Sequence, residues 1–257
     1  MTARAPLVLI CAALLVSGCD RVAQVGAMLG FKSPEKAAPA AIPVAVDPNA
    51  ARERTEPVRW DEGFGAFWYK DAPLNAARMW RFDAGIQGFS GGGAELVGAP
   101  LQGLQVVNRL PDAQLRSPTG LAIDGARFTL VLVRLTRLAD AAPWDGSLYW
   151  MTPQHPEQDA FHTKPFLGQA PAVNETVILA YDMANPLKGG DDWTKSLIDQ
   201  IRIDTDDGAG SRFRLREIAI VENPAPDVLK APPRAAPATP AAKAAPAVSP
   251  AKAAGLR

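Results

Sequence analysis

With 27 basic and 27 acidic residues among its 257, the chain has no global field to draw it to nucleic acid. Its two cysteines, Cys11 and Cys19, both lie near the start, which excludes disulfides and thiolate chemistry from everything that follows. The ends are too biased in composition to build a core, and the remaining stretch suffices for one domain and no second.

Arg4 supplies a positive start, and Leu7 to Val16 is an apolar stretch of about ten residues. That is too short to span a bilayer but suits a secretory signal. It ends in L-V-S-G-C, which resembles the lipobox of bacterial lipoproteins. The resemblance implies that residues 1–18 are a signal peptide and that Cys19 becomes the lipidated, palmitate-bearing first residue of the mature chain. Several acyl chains on one cysteine give stable anchoring, because each buried methylene contributes ~0.8 kcal/mol. The expected location is therefore the cell envelope, lipid-anchored and facing the periplasm. Asp20 follows at once, a residue that in similar enterobacterial lipoproteins favours the inner membrane.

Residues 19–58 read as a tether. Arg21 to Phe31 places Val22, Val25, Met28 and Leu29 on one side of a short membrane-proximal helix. From Lys32 to Val58 alanine and proline dominate, predicting an extended, semi-rigid spacer rather than a packed element. Residues 59–78 are an aromatic lead-in with Trp60, Phe64, Phe67, Trp68 and Tyr69, followed by Trp80. Such a cluster either packs onto the domain or leaves rings exposed to stack on sugars.

Over 79–223 the pattern becomes short strands broken by Gly, Pro, Asn and Asp. Strands are expected at Met79–Asp83, Glu95–Val97, Leu101–Val107, Gly120–Ile123, Phe128–Leu138, Ser147–Met151, Thr176–Met183, Ile198–Thr205 and Phe213–Glu222. That spacing predicts an all-β protein, a single jelly-roll β-sandwich. The organising strand is the one from Phe128. Leu130 and Leu132 share a face with Arg134, while Val131, Val133 and Leu135 point the other way. A run apolar on both faces belongs inside a sheet covered on both sides. Ile201 and Ile203 alternate with Arg202 and Asp204, as in a half-buried strand. Leu187 to Gln200 has room for one helical turn.

The ordered pieces W-R-F-D, G-L-Q-V, S-P-T-G-L-A-I-D-G-A-R-F, V-R-L-T-R, W-D-G-S-L-Y-W, V-I-L-A-Y-D-M, D-D-W-T-K-S-L-I-D-Q-I-R-I-D and I-A-I-V span about 79–222. Together they resemble galactose-binding-domain-like, carbohydrate-binding-module-like β-sandwiches. The resemblance implies a jelly roll, often with a structural calcium ion, and usually no catalysis of its own.

Gly88-Phe89-Ser90-Gly91-Gly92 fits G-x-S-x-G, but a nucleophile elbow needs a strand before and a helix after, and this stretch reads as a Gly-rich turn. His155 and His162 bracket Glu157 and Asp159 in a loop without fixed metal-ligand spacing. Asp204-Thr205-Asp206-Asp207-Gly208 departs from a calcium loop and reads as a turn. Asp145, Asp182 and Glu217 are available for glycoside hydrolysis, yet no spacing selects a pair. No catalytic constellation emerges.

The candidate ligand site is a sheet face carrying Arg134, Tyr149 or Trp150, Arg202 and Asp204. An Arg and an Asp on neighbouring strands can bind sugar hydroxyls while a ring stacks on the pyranose. The same residues also make an ordinary cross-strand ion pair capping an aromatic. The tail, 224–257, repeats Ala, Pro and Lys and is expected to be disordered. The expected function is thus non-catalytic recognition of an envelope or extracellular polysaccharide. The alternatives are an assembly factor binding an envelope protein and, more remotely, a polysaccharide-modifying enzyme.

Overall fold

The computed structural model describes residues 52–53, 57–99, 102–141 and 143–232. The expected signal peptide, Cys19, the membrane-proximal helix, most of the linker and the tail beyond 232 lie outside them. No helix among the described residues is long and apolar enough to cross a membrane.

The chain begins with β1 (Arg52–Glu53), then β2 (Val58–Asp61), β3 (Ala66–Tyr69) and β4 (Ala72–Pro73). Next come β5 (Ala76–Arg81), β6 (Ser90–Gly92), β7 (Ala94–Ala99), β8 (Gly103–Asn108), β9 (Gln114–Arg116) and β10 (Ile123–Asp124). The long β11 (Leu130–Ala139) leads to β12 (Leu148–Met151), β13 (His162–Thr163) and β14 (Glu175–Asp182). A single helical turn, α1 (Asp192–Lys195), precedes β15 (Leu197–Ile198), β16 (Gln200–Asp204) and β17 (Arg212–Val221).

Two sheets make the sandwich. The larger runs β1-β14-β11-β17-β8-β7, with β5 also paired to β17; the smaller runs β13-β12-β16-β9-β6. Leu148, Trp150, Ile201, Ile203 and Leu115 from the smaller sheet interlock with Val131, Val133, Leu135, Leu179 and Ile218 from the larger. This is the all-β sandwich expected of the pattern. Each of the nine expected strands has a counterpart, and α1 supplies the helical turn. Fully burying one such aliphatic side chain contributes about 1.5–3 kcal/mol, so this layer dominates the stability.

β11 lies between β14 and β17, and both its faces are covered. Leu130 and Leu132 belong to a second core with Trp60, Phe67, Tyr69, Ile178, Ala219 and Leu229. The antiparallel unit β2-β3-β4 is the cover: its aromatic side chains close the outer face of the larger sheet. Most of the lead-in is thus packed, with Trp60 and Phe67 edge to face at 5.0 Å. Phe64 is the exception, 72% exposed and set against Trp68.

Two expectations are corrected. The tail expected from 224 onward starts later, because Leu229 is buried in the second core and the Ala231 amide donates to Asp182. Ser90–Gly92 is not a free turn but the edge strand β6, paired to β9. Its glycines hide the strand from pattern reading, yet packing requires one of them: a Cβ on Gly91 would stand 2.3 Å from the Ala94 carbonyl oxygen.

Near one end of β11, Arg137 forks onto Asp206 through two bonds of 2.9 and 2.8 Å, the carboxylate fully buried. Burial raises the Asp206 pKa while Arg137 opposes that shift. The pair ties β11 to the turn between β16 and β17.

Candidate functional site

The smaller sheet has one face in the main core and one face turned outward. Strand register lines up a row across all five strands of that outer face: His162 with Tyr149, Tyr149 with Arg202, Arg202 with Arg116, and Arg116 with Ser90. Alternation explains the row, because Leu148, Trp150, Ile201, Ile203 and Leu115 take the inward positions between. One step along lie Asp204 and Gln114, again cross-strand partners.

The Arg202 guanidinium sits 4.4 Å over the Tyr149 ring. Its Nε donates to Asp204 at 2.7 Å, and its terminal nitrogens reach Asp204 and Glu157. Glu157, from the loop after β12, also accepts from Arg116 at 2.9 and 3.1 Å, so one carboxylate spans two arginines. His162 closes the row against Tyr149 at 5.1 Å. Burial pushes the Asp204 pKa up to about 6, Arg202 pulls against that, and like charge from Asp145 and Asp112 adds to it. The Tyr149 hydroxyl is raised as well, first by burial and then by Asp204. Burial alone would lower Arg202, but Asp204 and Glu157 outweigh it and hold the guanidinium firmly charged.

Tyr149, Arg202 and Asp204 therefore do converge. Trp150 and Arg134 do not, and both are corrections to the five-residue face. Trp150 points inward, fully buried; its indole N–H donates to Asp192 at 2.8 Å and its ring meets Trp193 edge to face at 5.8 Å. Successive strand residues face opposite ways, so only one of Tyr149 and Trp150 can join Arg202, and register selects Tyr149. Arg134 belongs to the other sheet, where it pairs with Glu217 at 3.1 Å and Glu62 at 3.2 Å beneath the β2-β3-β4 cover. Arg116, Glu157 and His162 complete the face without having been singled out for it. The sequence marks Glu157 and His162 as weak metal-ligand candidates in a surface loop near the ligand face, and the Arg116 strand carries too few residues to show a period.

The other candidates are separately engaged. Ser90 is exposed on β6 and starts no helix, so the nucleophile elbow is absent there. His155 stacks on Phe161 at 3.6 Å and bonds Asp192 at 2.9 Å, whereas His162 bonds the Asp159 carbonyl. Among the described residues no group of three or more His, Cys, Asp or Glu is arranged to hold a metal ion. Asp204 and Asp206 are committed to Arg202 and Arg137, so the 204–208 turn does not fit a calcium cradle. Asp145 holds Lys164, Asp182 accepts from Asn185 and the Ala231 amide, and Glu217 holds Arg134. These three carboxylates serve separate ion pairs and turns rather than one cleft.

No protein-family model matches the chain, and no curated protein matches it. Among solved structures the chain is similar to carbohydrate-binding modules. One is the Clostridium thermocellum endo-1,4-β-D-xylanase 10B comprising CBM22-1 and GH10 modules, complexed with xylohexaose. It is 13% identical, with 58% of this chain and 29% of that one covered and a TM-score of 0.41. The CBM22-1 xylan-binding domain from Paenibacillus barcinonensis is 13% identical over 58% of this chain and 97% of its own, with a TM-score of 0.37. A low-affinity xylan-binding module, CBM86, from Roseburia intestinalis is 14% identical over 56% and 95%, with a TM-score of 0.35. The chain thus spans less than a third of the first of these proteins. Likeness of this size assigns no residue a role.

Proposed function

We propose that the protein is a lipid-anchored envelope protein whose sandwich recognises a polysaccharide on the outer face of its smaller sheet, without catalysis. The observation that supports this is the Tyr149–Arg202–Arg116 row with Glu157 across it. An aromatic ring, two arginines and carboxylates at cross-strand spacing supply stacking and fork-shaped hydrogen bonding together. Every Arg202 nitrogen already has a carboxylate partner, so sugar hydroxyls add to or exchange with a formed network rather than filling a void. That favours selective binding of modest strength, because water and the resident carboxylates compete for each donor. Cys19 supplies the anchor, and the Ala/Pro segment supplies reach.

The test is a glycan array probed with the full chain, beside Tyr149→Ala and Arg202→Ala. A sugar-specific signal lost in both variants supports the reading. Silence of the folded wild-type chain across neutral and acidic glycans would sink it.

A protein partner is the second reading, favoured by Phe64. This ring is 72% exposed and tilted against Trp68 at 4.9 Å, with Arg59 4.9 Å over the same indole. An exposed ring set on a half-buried indole and backed by an arginine has the composition of an interaction hot spot. Pull-down from envelope extract that Phe64→Ser abolishes, with a silent array, would move the assignment to assembly.

A further inference from the structure

Strand β17 carries R-F-R-L-R. Phe213 and Leu215 enter the main core, so Arg212, Arg214 and Arg216 lie on the outer face of the larger sheet. None of the three guanidinium groups makes a hydrogen bond or ion pair with another described residue. Elsewhere Arg109, Arg116, Arg127, Arg134, Arg137 and Arg202 each hold a carboxylate.

Solvent accounts for an unpaired arginine at Arg212, which is exposed, but not at Arg216, whose Nε is buried and unbonded. A β-bulge puts it there. Arg134 pairs with Glu217 and Leu135 with Leu215, leaving Arg216 as the extra residue. At the same point β17 changes its other neighbour, from Leu104 on β8 to Arg81 on β5. The notch between those strands is a recess of about 190 Å³ lined by Glu62, Arg81, Asp83, Gly103, Arg216 and Glu217. Gly103 has φ of +92°, and a Cβ there would meet the Leu215 carbonyl oxygen at 2.6 Å, so glycine lets the two backbones meet at this wall.

The carboxylates of the recess are already engaged. Asp83 holds Arg81 at 3.2 Å, and Glu217 and Glu62 hold Arg134. Burial, and then the like charges of Arg134 and Arg214, keep Arg216 below the usual arginine pKa. An incoming oxyanion in the recess offsets this repulsion by accepting from the terminal nitrogens of Arg216.

We propose that Arg212, Arg214 and the Arg216 recess form a strip that binds a linear, carboxylate-bearing polysaccharide. Side chains on one face of a strand recur about every 7 Å, giving an extended row suited to successive acidic units of a thin chain. A bilayer is flat: it can reach Arg212 but not a guanidinium set in a recess between strands. Arginine's planar fork suits a carboxylate in a way that a point charge does not. The strip is on the opposite sheet from the Tyr149–Arg202 row and stands independently of it.

The test is calorimetric titration of the full chain with polygalacturonate and with its fully methyl-esterified form, at low and high salt. The acid form should bind, more weakly as salt rises, and the ester should not. Arg214→Gln with Arg216→Gln should weaken binding at least tenfold, and Arg216→Lys should fall between. Arg212→Gln with Arg214→Gln, at positions less bound up with the bulge, should also weaken it, and a thermal melt confirms that each variant is folded. Tyr149→Ala should leave this binding unchanged, which separates the strip from the glycan face. Absence of binding, equal binding of acid and ester, or indifference to both double variants overturns the proposal. Arginine-dependent binding to phosphatidylglycerol vesicles without polymer binding overturns it too, in favour of a membrane contact.

Discussion

The two outer faces of the sandwich are built on opposite plans. On the smaller sheet the outer face is open, and its charge is closed on itself: Arg202 and Arg116 share Glu157, and Asp204 takes the rest of Arg202. On the larger sheet the outer face is sealed in part by aromatics from β2 and β3, and the arginines of β17 beyond the seal have no hydrogen-bond or ion-pair partner among the described residues. Polar groups buried on either face need partners from the protein, and Arg202 finds them in Asp204 and Glu157. Arg216, set in the recess beside Glu62 and Glu217, finds none for its Nε among the described residues.

The sharpest way to break this contrast is to unseat the cover. Trp60 is 7% exposed in the second core, and Trp60→Ala should cost about 3–5 kcal/mol in denaturant unfolding. Tyr149→Ala on the open face should cost about 1 kcal/mol by the same measurement, since that ring is only half-buried. Near-equal losses would mean that the lead-in is no more structural than the open face.

The open face also responds to pH. Asp204 titrates near 6 when folded and near ~3.9 when unfolded, so the folded state binds its proton more tightly. Its contribution is therefore full below pH ~4 and is lost as pH rises through about 6, a change on the order of 3 kcal/mol. Asp204→Asn should flatten that part of the stability–pH curve. A variant that kept the wild-type slope would place the titration elsewhere.

Glu157→Gln removes the carboxylate shared by partly accessible Arg116 and buried Arg202, which keeps Asp204, and should cost about 1 kcal/mol, more at low salt than at high. Smallest of all, Phe64→Ser should change stability by no more than ~0.5 kcal/mol, because the ring is mostly in solvent. A larger loss in a thermal melt would show that Phe64 belongs to the cover rather than to a contact surface.

Much of this architecture can be read from local periodicity. Leu130, Val131, Leu132 and Val133 announce a strand buried on both sides, and Ile201-Arg202-Ile203-Asp204 announces one buried on a single side; both patterns follow from the alternation of side chains along a strand. Short or glycine-rich strands escape the same reading, because β6, β9 and β13 hold too few side chains to show a period, and β9 takes one of its partners, β16, from far along the chain.

The residues themselves determined that the chain would form one β-sandwich, that Arg202 and Asp204 would share a polar face, and that the aromatics before it would need a place to pack. Only the tertiary structure decided that Tyr149 rather than Trp150 stands beside Arg202, that Arg134 lies on the other sheet, and that a bulge isolates Arg216. Those outcomes depend on strand order and register, which are set by contacts between residues as far apart as Ala76 and Val221, and no local pattern encodes them.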